Sequence, residues 1–326
     1  HGHDINIVKE TIKVAKECGA DAVKIQTYTP DTLTLNCNNE YFQIKGGTIW
    51  DGKILYDLYK EAYTPWEWHK EIFDYAKKIG ICLFSTPFDK TAVDLLESLE
   101  NPIYKIASFE INDIPLIEYA ASKNKPMIIS TGVATEEEIK DAIEVCKKVG
   151  NNDITLLQCT SQYPAKLEDA NLVMIEDLAK RFSVKSGLSD HTMGYLVATT
   201  AVAMGAKVVE KHFILDRSIG GPDSSFSMLP SEFKEMVNNI RNIEKMIGKV
   251  SYEISEKKEA SLKFKRSLFV SKDIKRGETI TDNNIKSVRP SNGISPKFYY
   301  EVIGKKVNRD LEFGTPLLFE YIEEEK

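Results

Sequence analysis

The 326-residue sequence lacks several features that define specialised classes of protein. It contains no run of about eighteen apolar residues, so we expect no membrane span. The net charge is −6, from 43 basic and 49 acidic residues, which argues against general nucleic-acid binding. No secretory signal is visible, and we expect a cytoplasmic protein. An anionic substrate would therefore have to be bound by a local cluster of basic residues.

Cysteine is scarce and its spacing excludes the usual cysteine-based sites. The chain has five cysteines, an odd number, and no two have the spacing of a zinc site. They are Cys18, Cys37, Cys82, Cys146 and Cys159. Most lie in apolar runs, so we expect reduced thiols in a hydrophobic core.

Seven short apolar runs are typical of strands buried on both faces. They span residues 22–28, 81–88, 103–108, 126–131, 154–160, 184–191 and 207–213. Helical patterns separate most of them, and the clearest covers 135–150. It has Thr135 as N-cap, acidic residues in its first turn and Gly150 as its stop. Alternating strands and helices predict parallel βαβ units.

The pattern predicts an α/β protein with a (β/α)8 TIM barrel. A closed barrel needs eight strands. Because a helix predicted over 5–18 precedes the first visible strand, we expect the first strand to lie upstream of residue 1. An open doubly wound sheet is the alternative. It is disfavoured because no glycine-rich dinucleotide fingerprint follows any strand, and because polar residues lie within the strands themselves.

The composition changes near residue 250. We predict a barrel domain over 1–250, a charged linker or short helix over 251–265, and a small β-rich domain over 266–326. This last domain contains a weak internal repeat, in which 272–281 and 309–318 share the pattern basic–Asp–aliphatic–x–x–Gly. The repeat predicts a compact module with pseudo-symmetry.

Two of the five histidines, His191 and His212, end neighbouring predicted strands. The two-residue period of a strand places His212 on the same face as Glu210, and His191 on the same face as Ser189. Imidazole favours Mn, Fe, Co, Ni or Zn over Mg or Ca. Two protein ligands leave positions for water or substrate, as in a catalytic metal site. The alternative is that one or both histidines only form hydrogen bonds in the core.

Lys24 and Lys105 are predicted to face the interior of the same barrel. An unpaired buried charge is costly, so two such lysines indicate a bound anion. Hydroxyl groups at other strand ends could donate to phosphate oxygens. These belong to Thr86, Ser108, Ser130 and Ser189. The alternative is that each lysine pairs with a buried Glu or Asp.

Short motifs in a fixed order resemble the sialic acid synthase family over essentially the whole chain. In the barrel they are KIQTYTPDTLTLN, FSTPF, YKIAS, STGVAT, CTSQYP, GLSDHT, EKHF and GGPDSSFSM. The tail, with RSLFVSKDIKRGE and VRPSNG, resembles the C-terminal antifreeze-like (SAF) domain of that family. A long insertion over 30–66 would build the mouth of a barrel site, and it is most similar to the pseudaminate branch.

The resemblance implies a metal-dependent condensation. C3 of phosphoenolpyruvate attacks the open-chain aldehyde of a sugar, water attacks C2, and phosphate leaves with cleavage of the C–O bond. In the pseudaminate branch the sugar is 2,4-diacetamido-2,4,6-trideoxy-L-altrose. The N-acetylneuraminate and legionaminate branches are the alternatives.

The resemblance also implies roles for individual residues. His191 and His212 match the ligands of a divalent metal, for which we expect Mn, with Co or Mg as alternatives. The phosphoenolpyruvate-binding positions fall on Lys24, Thr86, Lys105, Ser108, Ser130 and Ser189, with Ser161 where the neuraminate branch has Asn. Tyr163 and Asp223 match sugar contacts, and with Glu210 they form the expected catalytic group. The first strand of the family ends in a Glu and an Asn that this sequence does not contain.

Arg289 matches an arginine that the tail domain lends to the sugar site of the neighbouring subunit. The resemblance therefore implies a domain-swapped homodimer. Two other functions are alternatives. A barrel metal hydrolase would need an Asp on the last strand, which ends in His212 instead, and a tail acting alone as an ice-interacting module would leave the buried lysines and histidines unexplained.

Overall fold

The computed structural model describes residues 2–45 and 51–324. The chain divides into two compact units, residues 1–248 and residues 249–326. None of the helices in the described ranges is long and apolar enough to cross a membrane.

The first unit contains one parallel sheet whose strands follow each other in chain order. The strands are β1 Ala22–Thr27, β2 Cys82–Pro87, β3 Tyr104–Ile106, β4 Met127–Ser130, β5 Ile154–Cys159, β6 Lys185–Asp190 and β7 Val209–Lys211. All seven predicted strands are confirmed. Each is a little shorter than its apolar run because the residues at the strand ends belong to loops.

Helices alternate with these strands, as predicted for a barrel. They are α1 Ile5–Glu17, α2 Pro30–Leu33, α3 Leu55–Ala62, α4 Trp66–Ile79, α5 Lys90–Ser98, α6 Ile114–Ala121, α7 Glu136–Lys148, α8 Val173–Phe182, α9 Leu196–Ala203 and α10 Pro230–Ile247. The insertion predicted over 30–66 supplies α2 and α3, together with a 3-10 turn over Glu40–Phe42. Residues 46–50 of the insertion lie outside the described residues.

Helix α7 shows how closely local sequence determines its element. Thr135 caps the helix, and its side chain and that of Glu138 form a reciprocal capping box. Its apolar residues Ile139, Ile143 and Cys146 are buried against the sheet. Gly150 follows the helix with a φ of 87°, a conformation that glycine adopts without strain.

The sheet separates an outer core from an inner one. On its outer face, Tyr104, Ile106 and Ile129 are among the residues that pack with α5, α6 and α7 in the largest hydrophobic cluster. On its inner face, Phe84, Ile128 and Leu157 form a smaller apolar cluster. The side chains nearer the carboxyl ends of the same strands are polar, so the apolar cluster forms the floor of a polar site.

The two edge strands, β1 and β7, are not paired with each other in the part of the chain that the structure describes. The space near them is lined by Ile12 of α1, Val23 of β1, Val209 of β7 and Met236 of α10. A barrel would carry its remaining strand between these two edges, where the sequence predicts the first strand. That strand remains a prediction.

The second unit is built around a small antiparallel sheet. Its elements are α11 Glu256–Leu262, β8 Ser267–Val270, β9 Ile285–Val288 and α12 Tyr299–Val302. Its core contains Leu268, Val270, Ile274, Ile280, Ile285, Ile294, Val302, Val307, Leu311, Leu317 and Ile322. Helix α11 lies within the segment predicted to be a charged linker or short helix.

The internal repeat of the second unit corresponds to a local two-fold arrangement. Asp273 of the first repeat accepts a hydrogen bond of 2.7 Å from the main-chain N–H of Phe313 in the second. Asp310 of the second repeat accepts the equivalent bond of 2.8 Å from the N–H of Arg276 in the first. The glycines of the two repeats have φ angles of 82° and 83°. The predicted pseudo-symmetry is therefore confirmed.

Candidate active site at the carboxyl ends of the strands

A cavity of about 1570 Å³ opens at the carboxyl ends of the strands and extends between β1 and β7. Its lining includes most of the predicted site residues, namely Lys24, Lys105, Ser108, Ser130, Ser161, Tyr163, Ser189, His191, Glu210, His212 and Asp223. Thr86 and Arg289 are not part of this lining. Thr86 is fully buried on β2, and Arg289 is an exposed residue of the second unit.

Glu210 is the centre of a charged cluster inside the barrel. Its Oε1 lies 2.9 Å from Lys24 Nζ and 3.7 Å from Lys105 Nζ. Ser189 donates a hydrogen bond of 2.9 Å to the same oxygen, because Ser189 and Glu210 are register partners in β6 and β7. Both lysines thus face a carboxylate, as the alternative interpretation of the sequence required. Two lysines facing one carboxylate still leave one positive charge in excess.

Burial acts differently on the pKa values of Lys105 and Glu210. Burial lowers the pKa of Lys105 to about 8, against the opposing attraction of Glu210. Burial alone would raise the pKa of Glu210, but Lys105 and Lys24 outweigh it and hold that pKa well below its usual range. Glu210 is therefore ionised at neutral pH, and an anion that binds beside it would further favour the charged form of Lys105.

Hydroxyl groups from neighbouring strand ends surround these charges. Lys105 Nζ donates a 2.7 Å hydrogen bond to Ser130 Oγ at the end of β4. Just beyond, Gly132 donates its N–H to Ser108 Oγ at 3.3 Å. A Cβ atom at Gly132 would lie only 2.4 Å from Ser161 Oγ and 3.0 Å from Ser108 Oγ. The absence of a side chain at this position lets two hydroxyls from separate loops approach each other.

The two predicted metal ligands lie side by side in the cavity, with ring centroids 5.2 Å apart. His191 Nδ1 lies 2.9 Å from the carbonyl oxygen of Thr160, and His212 Nδ1 lies 3.4 Å from Asp223 Oδ2. A carbonyl or carboxylate oxygen only accepts, so a neutral imidazole in either position would carry its proton on Nδ1 and would leave Nε2 unprotonated, as a metal ligand must be. Within residues 2–45 and 51–324, no three His, Cys, Asp or Glu residues group as a metal site.

Each of the two histidines has a contact at Nδ1 and could offer its other ring nitrogen, Nε2, to a divalent transition metal. The remaining coordination positions would be filled by water or substrate, which is the arrangement of a catalytic site. The alternative in which the histidines only form core hydrogen bonds accounts for the Nδ1 atoms. It does not account for both rings lining the cavity.

Aromatic rings pack against these histidines. The ring centroid of Tyr163 lies 4.5 Å from that of His191, and Phe226 lies 5.1 Å from His212 and 5.2 Å from Tyr163. Burial raises the pKa of Tyr163 above its usual range, so the phenol stays protonated and can donate. Phe226 was not singled out from the sequence, although it stands inside the quoted GGPDSSFSM motif.

Glu110 is a further site residue that sequence reasoning missed. It lies in the 3-10 turn Ser108–Glu110 that follows β3 and lines the cavity. Its Oε2 is buried and has no hydrogen-bond partner among the described residues. Burial raises the pKa of this carboxyl to about 7, although Lys105 opposes the shift. The strand period does not extend past Ile106, so parity could not place Glu110. Its position two residues after Ser108 was the only signal.

The insertion supplies an apolar side to the cavity. Tyr59 of α3 lines it together with Tyr28 and Phe88. The ring centroid of Tyr28 lies 5.8 Å from that of Tyr59 and 5.2 Å from that of Phe88. The cavity therefore has a charged wall and an aromatic wall.

Comparison with known proteins identifies the family. Residues 11–252 match the NeuB family, and residues 265–323 match the SAF domain. The chain belongs to the NeuB family. The predicted relationship to sialic acid synthases and the predicted SAF domain are both confirmed.

Individual relatives are similar over most or nearly all of the chain. A pseudaminic acid synthase of Helicobacter pylori is 50% identical over 324 residues, which cover 99% of this chain and 95% of the relative. An N,N'-diacetyllegionaminic acid synthase of Legionella pneumophila is 38% identical over 333 residues, covering 99% and 92%. The solved N-acetylneuraminic acid synthetase of Leptospira borgpetersenii serovar Hardjo-bovis has a TM-score of 0.71 at 32% identity, covering 80% of this chain and 86% of that one.

Proposed function

We propose that the protein is a pseudaminic acid synthase. It condenses phosphoenolpyruvate with 2,4-diacetamido-2,4,6-trideoxy-L-altrose and releases pseudaminic acid and phosphate. The observation that carries this proposal is the 50% identity to the Helicobacter pylori pseudaminic acid synthase over nearly both whole chains, against 38% for the legionaminic acid synthase. Legionaminate and N-acetylneuraminate synthesis are the second candidates within the family.

The charged wall binds phosphoenolpyruvate. Lys24 and Lys105 exceed the single carboxylate of Glu210 by one positive charge, which favours an anion. Thr86 Oγ1 is buried and has no hydrogen-bond partner in the described part of the chain. Strand parity places it on the inner face of β2 with Phe84. Thr86 does not line the cavity, so its contact with the substrate stays a prediction.

His191 and His212 would hold the divalent metal, for which Mn is expected. When bound, the metal supplies a Lewis acid that polarises the sugar aldehyde. Thr160 and Asp223 contact the Nδ1 atoms of the two rings. Tyr163 packs against both rings. These contacts determine which imidazole nitrogen is the ligand atom before any substrate arrives.

Glu110 acts on the water that adds to phosphoenolpyruvate, and the aromatic wall acts on the sugar. A carboxyl whose pKa is about 7 exchanges its proton readily at neutral pH. We assign to Glu110 the proton lost by the water that adds to C2. Tyr28, Tyr59 and Phe88 form an apolar surface that suits the C6 methyl group of a 6-deoxy sugar.

A comparison of sugars tests the proposed substrate. The kcat/KM value for the trideoxy diacetamido altrose should exceed that for N-acetylmannosamine by roughly a hundredfold, because an apolar wall discriminates only moderately against an added hydroxyl. Replacing Tyr59 with alanine should reduce the ratio between these two kcat/KM values. Equal or better use of N-acetylmannosamine by the unmodified protein would instead support the neuraminate alternative.

The lysine role predicts a specific kinetic change. Lys105→Ala removes a charge-assisted contact worth on the order of 1.5–3 kcal/mol, so KM for phosphoenolpyruvate should rise about ten- to hundredfold. Lys185→Ala serves as the control. Lys185 lies at the amino end of β6, whereas the site lies at the carboxyl ends of the strands, and it pairs with Asp153. If Lys105→Ala keeps the unmodified KM for phosphoenolpyruvate, Lys105 does not bind that substrate.

The second unit completes the sugar site of a partner chain in a domain-swapped homodimer. Arg289 is exposed directly after β9, and arginine is suited to a shared site because its fork of donors stays charged. Exposed apolar residues also follow four consecutive barrel strands, which supports a covering partner. They are Phe109, Val133, Leu167 and Met193.

Mixing two inactive variants tests the swapped arrangement. An Arg289→Ala chain and a His191→Ala chain are combined and allowed to exchange subunits, and turnover is measured. In a swapped dimer, one site of each heterodimer joins an intact barrel to an intact arginine, so about a quarter of all sites should recover. If each arginine serves its own barrel, no site is whole and no activity returns. Each variant incubated alone is the control.

A further inference from the structure

A buried ion pair lies at the ends of the two strands that carry the histidines. Lys211 Nζ is 2.9 Å from Asp190 Oδ2, and the two side chains are 2% and 1% exposed. Asp190 Oδ1 accepts hydrogen bonds from the N–H of Thr192 at 2.9 Å and from its hydroxyl at 2.7 Å. Lys211 also donates to the carbonyl oxygen of Thr192. The pair is thus fully enclosed and well supplied with partners.

The register of the sheet relates this pair to the histidines. Asp190 and Lys211 are direct partners in the parallel ladder of β6 and β7, and they are the last residues of the two strands. Strand alternation directs their side chains to the opposite face from Ser189 and Glu210. The next residue along each strand is a histidine. Each member of the ion pair is therefore bonded through the main chain to one of the two proposed metal ligands.

Beyond the end of this ladder, the two histidines are held by different segments. The carbonyl oxygen of His191 accepts from the N–H of Ala165, and that of His212 accepts from the N–H of Met228. Lys211, the residue before His212, contacts both residues that flank His191, namely Asp190 and Thr192. It links the chain segment of one imidazole to the chain segment of the other.

Stability alone is a weak reason for such a pair. Removing two charges from water is costly, and well-packed apolar residues of similar volume are often equally or more stabilising. The pair also adds no net charge to the cavity, because Lys211 and Asp190 neutralise each other. An effect on function would therefore be geometric and would not arise from the electrostatic attraction of an anion.

We propose that the Lys211–Asp190 pair is a positioning device, which sets the spacing and orientation of His191 and His212 for a divalent metal. The inference rests on the metal role given to the histidines above. Neither Lys211 nor Asp190 is assigned a contact with substrate or metal. Their effect is exerted through the main chain of the neighbouring residue.

The test replaces the pair with apolar residues of similar size. In the Asp190→Leu/Lys211→Met double variant, the Mn(II) dissociation constant is measured by the electron paramagnetic resonance signal of free Mn(II). Phosphoenolpyruvate binding to metal-free protein and urea unfolding are measured alongside. We expect Mn(II) affinity to fall about 10- to 100-fold. Phosphoenolpyruvate affinity should stay within about twofold and the unfolding midpoint should not decrease, since buried ion pairs contribute little net stability.

A second variant covers the case in which the double variant does not fold. Thr192→Val keeps the ion pair and the shape but removes the hydroxyl that holds Asp190 Oδ1. It should lower Mn(II) affinity by a smaller factor, again without a change in phosphoenolpyruvate binding. The control is Glu97→Leu/Lys125→Met, which removes a partly buried ion pair of 2.7 Å that involves neither β6 nor β7. Its Mn(II) affinity should equal that of the unmodified protein.

Three outcomes would overturn the inference, and they can be told apart. If a folded double variant binds Mn(II) like the unmodified protein, the pair does not position the histidines. If the double variant fails to fold and Thr192→Val keeps full affinity, the pair serves folding alone. If the unmodified protein itself binds no Mn(II), the metal role assigned to His191 and His212 fails, and this inference fails with it.

Discussion

Replacing His212 with alanine is expected to reduce turnover to the level of chelator-treated enzyme. His212 and His191 are the two residues whose Nε2 atoms we assign to the metal, and their Nδ1 atoms are already engaged. A metal that polarises a carbonyl contributes several kcal/mol to transition-state stabilisation. At about 1.36 kcal/mol for each factor of ten, the loss should be on the order of 10³-fold.

The measurement is phosphate release from phosphoenolpyruvate in the presence of the sugar. EDTA should abolish turnover of the unmodified protein, and added Mn or Co should restore it, whereas His212→Ala should not recover. Lys105→Ala is a matched comparison, because it should still bind Mn(II) while losing affinity for phosphoenolpyruvate. Full activity of His212→Ala in the presence of chelator would rule out the metal role.

The strand period was the most reliable guide to this site. Lys105 was predicted to face the interior of the barrel. The structure places Lys105 in the cavity, while its neighbours Tyr104 and Ile106 lie in the outer core. The same rule predicted that Glu210 and His212 share a face. Parity works here because the strands are buried on both faces, so a one-residue slip would exchange polar and apolar environments.

Pairing between strands could not be obtained in the same way. The two-residue period implies that Lys211 lies on the face opposite Glu210. It does not identify Asp190 as the partner of Lys211, because that pairing depends on the register of β6 against β7. It also left open whether Lys24 binds a substrate anion or a protein carboxylate, and the structure shows the 2.9 Å contact with Glu210. Such contacts depend on how neighbouring strands are aligned with each other, and the pattern of one strand does not give that alignment.

Residues in irregular turns were the hardest to predict. Glu110 follows the end of β3 in a 3-10 turn, where neither the strand period nor the helix period applies. Phe226 also lies in an irregular segment, yet it contacts both Tyr163 and His212. Active-site residues are often carried by such loops on a rigid scaffold, so this part of a site is the part that pattern analysis recovers least well.

Glu110→Gln is expected to lower kcat by about 10²- to 10⁴-fold, the range that a positioned general acid or base contributes. The substitution preserves the shape of the side chain and removes its ability to accept a proton. Burial raises the pKa of Glu110 to about 7, so in the unmodified enzyme the carboxylate forms only as the pH rises through that value. The kcat/KM value for the sugar should therefore increase with pH up to about 7 and then level off. In Glu110→Gln this rise should disappear.

A stability measurement separates this catalytic role from a structural one. The pKa of Glu110 is raised above the usual unfolded value of about 4.3, so between that value and about pH 7 the folded state binds more protons than the unfolded state. Stability from this group is complete below about pH 4.3 and is lost as the pH rises towards 7. Glu110→Gln cannot ionise, so its free energy of unfolding at pH 8 should equal or exceed that of the unmodified protein while its turnover is lost. If Glu110→Gln keeps both its turnover and the rise of kcat/KM with pH, Glu110 does not take the proton of the water that adds to C2.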